Sequence, residues 1–425
     1  MAGSVRLRRR GSALLPAPAS PREAAVLRSP SKKMCHGLCS TSSTSSVSHV
    51  VWADLLDCLI HQIIARLSSF HDFLAFTGTY CPWRVAASSF ASVYTFTFPP
   101  LHLKIDFHYT CRRGNNGKFS LLRKCKWLLG DHSKREISHR CSVPRNSPNC
   151  LLFLGCSYGY LIFSYGQHCL LADVYTGNKV NPPKIEFRGN LEIYYGILTA
   201  PPNSPNSCLL LCSKTSMFQW QFGANSWSEH PLGLGQEHIL QILLFKGQIL
   251  AMDFSQRLHI LQLSPQFSME KVEDFGRKDM AVSQYDNKPW LVVCGDTLLM
   301  VALSPTHDEF YASFFGTFQV FLLDFSVKPA KWVKLENCAL FVGIDRKTPT
   351  FSCMSPERWG GKSNTIYVSS ALEDSDEQWT PVELGQTVPS ATMPGRSAYF
   401  LSVYGHCLQL QSLWVLPSLV YGTGQ

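Results

Sequence analysis

After residue 95 the hydrophobic pattern of this chain turns to a period of two. Short apolar runs recur at Thr95–Phe98, Leu151–Leu154, Tyr160–Phe163, Cys208–Cys212, Phe218–Phe222, Ile239–Leu244, Gln248–Met252, Leu258–Leu263, Trp290–Cys294, Leu298–Leu303, Phe318–Phe325, Ala339–Val342 and Thr365–Val368. Turn signals separate them, among them Tyr158-Gly159, Thr176-Gly177-Asn178, Lys246-Gly247, Gly295-Asp296 and Gly360-Gly361. Runs of this length, punctuated by Gly and Asn, read as β-strands joined by tight turns. No long helical pattern intervenes, which favours an antiparallel all-β domain over alternating βα units. The roughly 325 residues beyond residue 100 would make about seven four-stranded propeller blades at about 40–45 residues each. No WD or kelch-type repeat marks the blades, and a large sandwich or barrel fits the same strands.

Ahead of the strands the spacing is helical. Leu56, Ile60, Ile63 and Leu67 fall on one stripe, widened by Leu55, Leu59 and Ile64. Asp54 is placed to cap this helix and Asp57 to meet its dipole in the first turn. Ser69 and Asp72 resemble a capping box for a second helix ending at Gly78, and Pro82 opens a third that carries Trp83. Three short helices hold little core, so their apolar stripes need cover from a partner or from the next domain. The organisation expected is a disordered basic Ser/Pro-rich tail over 1–48 and a helical module over 49–92. A basic connecting segment, or the first propeller strands, follows over 93–149, and a propeller-like domain over 150–425.

The net charge of +9 is uneven: residues 1–33 carry +7, residues 101–140 carry +7, and the rest carries −5. The bulk is mildly acidic, so no domain-wide basic face for nucleic acid is implied. The basic stretch with Arg112, Arg113, Lys118, Arg123, Lys124 and Lys126, interleaved with Phe107, Tyr109, Phe119 and Trp127, reads as a solvated connector, the alternative being a contact with nucleic acid or an acidic partner. Sixteen cysteines without a secretory signal point to free thiols in a reducing compartment, the cytoplasm or nucleus. The Arg- and Ser-rich tail also fits an organellar transit peptide. No run of eighteen apolar residues exists to span a bilayer. No nucleotide-binding, nucleophile-elbow or HExxH motif is found, and no cysteine or histidine spacing matches a standard metal site. The expectation is a binding protein with no catalytic residue, cofactor or metal.

Residues 51–90 resemble an F-box: a Trp52-Ala-Asp54-Leu opening, Leu and Ile at helical spacing, an Asp before the second helix and the closing Cys81-Pro-Trp83-Arg84. Leu55-Leu56 stands where the usual F-box has Leu-Pro. The later chain resembles the plant F-box proteins with domain of unknown function 295, the KIB-type β-propellers. The pieces that carry this resemblance follow the family's order. They are Gly159-Tyr-Leu-Ile, Asp173-Val-Tyr-Thr-Gly177, Pro182-Pro183, Ser226-Trp227, Phe245-Lys-Gly247 through Asp253, Trp332-Val-Lys-Leu, Phe341-Val-Gly-Ile-Asp345, Phe351-Ser-Cys-Met and Asn364-Thr-Ile-Tyr367-Val.

The resemblance implies a substrate receptor of a cullin-RING (SCF-type) ubiquitin ligase. The F-box helices would dock a Skp-type adaptor, and the propeller would hold an unspecified target protein close to the charged enzyme. Leu55, Leu56, Leu59, Ile60, Ile63, Leu67 and Trp83 are the expected adaptor-facing or module-core residues. The alternative is a propeller interaction module without ligase coupling.

Overall fold

Six-residue apolar runs become strands here because the turns between them have the right handedness. Leu152–Ser157, Tyr160–Tyr165 and His168–Asp173 pair successively and antiparallel. Tyr158 and Gly159 between the first two both have positive φ, 50° and 76°, and Lys246 and Gly247 repeat this at 49° and 76°. That is the primed-turn geometry that suits right-twisted strands. Gly159 is needed twice over, since a Cβ there would lie 2.1 Å from the Ser418 nitrogen.

The structure, a computed structural model, describes residues 55–89, 99–106, 126–131, 138–141, 152–187, 192–234, 237–272, 289–306, 315–323, 331–332, 337–343, 346–369, 379–388 and 412–418. The basic tail, Trp52, Asp54, the run Thr95–Phe98 and the basic residues 112–124 lie outside them.

Three helices come first: α1 (Asp57–Ile64), α2 (Phe70–Thr79) and α3 (Cys81–Ser89). The helix start expected at an Asp54 cap is corrected. Leu56 occupies the N-cap in an extended conformation (φ −63°, ψ 141°) without a side-chain cap, and its carbonyl accepts from Leu59 and Ile60. Ser69 caps α2 through its Oγ, which accepts the Asp72 N–H at 3.1 Å. α2 runs one residue past Gly78, and Tyr80 is extended. Continuing the helix would drive the Pro82 ring into the carbonyl of Gly78, four residues back, so Pro82 starts a new helix instead.

Twenty-five strands follow in the described residues. The first sheet contains β1 (Leu101–Asp106), β2 (Lys126–Gly130) and β3 (Ser138–Cys141). The second is β4 (Leu152–Ser157), β5 (Tyr160–Tyr165), β6 (His168–Asp173) and β7 (Lys179–Val180). The third is β8 (Ile193–Leu198), β9 (Cys208–Ser213), β10 (Ser216–Gln221) and β11 (Ser228–Pro231). The fourth is β12 (Ile239–Phe245), β13 (Gln248–Asp253), β14 (Leu258–Gln262) and β15 (Ser268–Lys271). The fifth is β16 (Trp290–Cys294), β17 (Thr297–Thr306), β18 (Phe315–Leu323) and β19 (Lys331–Trp332).

The sixth sheet is irregular. β20 (Cys338–Val342), β21 (Phe351–Met354), β22 (Thr365–Ser369) and β23 (Trp379–Glu383) lie in the order β21-β20-β22-β23, with β20 and β22 parallel. β24 (Thr387–Val388) crosses to pair with β18 in the fifth sheet. β25 (Leu413–Val415) then returns to pair antiparallel with β1, so strands far apart in the chain complete the first sheet.

The architecture is a six-bladed β-propeller preceded by three helices. The expectation of about seven blades is corrected to six. The count of seven divided all the residues beyond 100 by one blade length, whereas the described strands form six sheets and residues 107–125 and 389–411 lie outside the described residues. Among the described residues no helix is long and apolar enough to cross a membrane.

Among the described residues the helices share their core with the propeller. Ile60, Ile64, Phe70, Phe73, Ala86 and Ala87 join one cluster with Leu101, Leu103, Trp127 and Leu129 of blade one and Phe153, Leu161 and Phe163 of blade two. Of the two covers open to the helical stripe, the next domain takes these residues. Asp131, buried just after β2, fastens the contact by accepting the Phe70 N–H at 3.0 Å, at the N-terminus of α2. Arg358, in the 3-10 turn Pro356–Trp359, donates to the Ala65 carbonyl at the end of α1.

Candidate functional site

Each blade contributes its innermost strand to the propeller axis: β25, β4, β8, β12, β16 and β21. They enclose a cavity of about 340 Å³ whose wall includes Ser157, Tyr158, Tyr195, Gln241, Thr350 and Ser352. The hydrogen bonds of these polar residues are committed to neighbouring strands. Ser157 Oγ accepts from Leu198 N–H at 2.8 Å, joining β4 to β8. Tyr195 OH lies between β8 and β12, accepting from Ile242 N–H at 3.0 Å and donating to Ile242 O at 3.3 Å. The Gln241 amide clamps Leu291 of β16 with both ends, at 2.8 and 2.9 Å. Thr350 donates to Leu291 O at 2.6 Å and Ser352 to Val293 O at 2.8 Å, joining β16 to β21.

The same inner strands carry register shifts, between Phe153 and Gly155, Ile193 and Tyr195, and Ile239 and Gln241. Such bulges turn side chains out of the alternating pattern. Here they bring Tyr195 and Gln241 to the seams between blades. Among the described residues, Lys347 is the charged residue of the wall, and none of them brings a carboxylate or an imidazole. Burial pushes the Tyr158 phenol and the Cys156 thiol upward, so both are neutral at neutral pH. The described residues of the wall are therefore apolar surface plus fastened polar groups, and they present no acid–base pair. Among the described residues no group of three His, Cys, Asp or Glu side chains is placed to hold a metal ion.

The second candidate surface is the outer side of the helices. At 100° per residue, Leu56, Leu59 and Ile63 share a face, and Ile60 and Ile64 lie about a quarter-turn away. The structure puts these faces in different surroundings. Ile60 is 1% and Ile64 0% exposed against the propeller, whereas Leu56 is 66% and Leu59 44% exposed. Ile63 is half-buried. Leu55, Leu67 and Trp83 are half-buried against the shared core, and Trp83 stacks on Phe76 with ring centres 4.6 Å apart. Val85, on the helix expected to open at Pro82, is 70% exposed, and Tyr80, 41% exposed, adds apolar surface that sequence reading did not single out. The signal for Tyr80 was present: it immediately precedes the helix that Pro82 opens. α1 and α3 are tied by His61 Nε2, 2.9 Å from the Ala86 carbonyl oxygen.

The motif pieces of the propeller also meet. Trp227 Nε1 donates to Pro183 O at 2.8 Å, and the Asp173 carboxylate accepts the N–H groups of Tyr175 and Thr176, each at 2.8 Å. A model of the KIB1-4 β-propeller matches residues 129–399. This chain belongs to the KIB1-4 β-propeller family.

A search of curated protein sequences finds no match to the chain. Among solved structures, this KIB1-4 propeller is similar to BBS1N in its complex with ARL6DN. That match has 11% identity and a TM-score of 0.28, over 53% of this chain and 74% of that one. It is similar to the N-terminal domain of Nup159 at 10% identity and TM-score 0.30, over 56% and 68%. It is also similar to the Vanderwaltozyma polyspora Nup133 β-propeller domain at 10% identity and TM-score 0.30, over 54% of each chain. The KIB1-4 chain is a β-propeller protein-interaction module, with the outer helical face as the candidate docking surface.

Proposed function

We propose that this protein is the substrate-recognition subunit of an SCF-type cullin-RING ubiquitin ligase, acting in the cytoplasm or nucleus. Its helices would dock a Skp-type adaptor, and its propeller would hold a target protein. The observation that carries this reading is the two-sided first helix. Ile60 and Ile64 anchor α1 to the propeller, while Leu56 and Leu59 stay exposed. Exposed leucines on an otherwise anchored helix are what a second protein would cover. The F-box-like order of residues 51–90 supports the same partner. The receptor's contribution is proximity: it raises the concentration of target lysines at a thioester made elsewhere.

Leu55-Leu56 in place of Leu-Pro favours a second reading, an interaction module without ligase coupling. One experiment separates the two. The full chain is expressed with a tag in cells and its co-purified adaptor measured by mass spectrometry, beside the Leu56→Asp/Leu59→Asp variant. The ligase reading expects adaptor with the wild type and at least a tenfold loss with the variant, at an unchanged thermal midpoint. Absence of adaptor from the wild type removes the ligase reading and leaves the second.

A further inference from the structure

Cys294 closes β16, the inner strand of blade five, and Cys338 opens β20 in blade six. Their sulfurs are 3.3 Å apart. A disulfide bond is about 2.05 Å long, so closure asks for a shift of little more than about 1 Å. Both residues stand at strand ends beside turns: Gly295 follows Cys294 with φ 56°, and Asn337 precedes Cys338 with φ 55°. Cys294 is half-buried and reachable by a small oxidant, while Cys338 is 3% exposed behind it.

We infer that Cys294 and Cys338 are a redox modification site, a reversible disulfide that ties blade five to blade six beside the axial cavity. Neither the propeller fold nor the ligase reading requires it. The hydrogen bond between the two thiols draws the Cys294 pKa down and pushes that of Cys338 up, so Cys294 is the nucleophile and Cys338 keeps the proton. Ser352 lies beside Cys294 and helps lower it. By contrast, burial raises the thiols of Cys156 and Cys212 in blades two and three.

The chemistry balances with hydrogen peroxide as oxidant. The Cys294 thiolate attacks one peroxide oxygen, the O–O bond breaks, and hydroxide leaves, giving the sulfenic acid. The Cys338 sulfur then attacks the Cys294 sulfur. The S–S bond forms, and the sulfenic hydroxyl leaves as water with the Cys338 proton. Two thiols and one peroxide become one disulfide and two waters, and a dithiol reductant reverses the change.

The bond would cross a seam already packed by Trp290, Val292, Leu340 and Val342. Its neighbours Val293 and Ser352 belong to the cavity wall. Oxidation would therefore fix one side of the channel and restrict the unfolded chain, raising stability.

The test uses the purified full-length chain. It is reduced, exposed to hydrogen peroxide, alkylated with iodoacetamide, digested and mapped by mass spectrometry. The expected product is a peptide pair joined through Cys294 and Cys338, two hydrogens lighter than the separate peptides and released by dithiothreitol. The thermal midpoint should rise by several degrees and fall back on reduction. In Cys338→Ser, Cys294 should be trapped by dimedone as a sulfenic acid, and the midpoint should not rise. Recovery of both residues as alkylated thiols after peroxide treatment overturns the inference. So does a dominant linkage of either to another cysteine, or oxidation of Cys294 to the sulfinic acid without cross-linking. The mapping needs only the wild-type protein, so it decides the matter even if the serine variant does not fold.

Discussion

At Asp253 several donors converge on one fully buried carboxylate. Arg257 N–H donates to Oδ1 at 2.9 Å, and Arg257 Nε and His259 Nε2 donate to Oδ2 at 2.8 and 3.0 Å. Burial alone would raise this carboxyl, but the hydrogen bonds from His259 and Arg257, with the Arg257 charge, outweigh it and hold it below the usual carboxylate range. The folded protein thus binds this proton less readily than the unfolded chain. Its contribution is complete above the unfolded value of about 4 and is lost as pH falls through the lower folded one. Replacing Asp253 by Asn should cost about 1–3 kcal/mol at pH 7. The gap between wild type and variant should narrow as pH approaches 3, which urea unfolding across that range would measure.

At the level of elements, the ring of inner strands is held together by side chains where a sheet would use backbone. Gln241→Ala removes the acceptor of the buried Leu291 N–H and should cost about 1–3 kcal/mol in denaturant unfolding. Gln248→Ala on the exposed start of β13 should stay within about 0.5 kcal/mol. Neither role could be read from the sequence, because both residues are glutamines in apolar runs. What was legible is the inner and middle strands of the blades. β9 is buried at every position and reads as the unbroken run Cys208–Cys212, and β5, β13 and β16 declare themselves similarly. The outer strands escaped notice because they are exposed and polar, as in Ser228–Pro231 and Ser268–Lys271. The exchange of β20 and β21 in blade six leaves no periodic trace. On α1 the apolar stripe was legible but its two destinations were not. Leu59 and Ile60 are adjacent and alike in hydrophobicity, and only the propeller beneath the helix tells them apart.

For the whole molecule, closure of the ring rests on three residues. Leu413, Trp414 and Val415 are all but fully buried, and Trp414 Nε1 donates to both Val342 O and Tyr367 O at 3.2 Å. β25 therefore completes blade one and locks it to blade six. Removing residues 412–425 should abolish the single cooperative thermal transition of the propeller and shift the protein to aggregates in size-exclusion chromatography. Loss of an internal strand pair and exposure of the β1 edge would cause both.

The same strap sets a schedule for biosynthesis. At about 5–20 residues per second, the stretch from Leu101 to Val415 takes roughly 15–60 s to translate. Throughout that interval Leu101 and Leu103 have emerged without the strand that will lie beside them. A nascent chain of this design spends most of its time on the ribosome as an open arc with a sticky leading edge, the kind of surface on which holdase chaperones act.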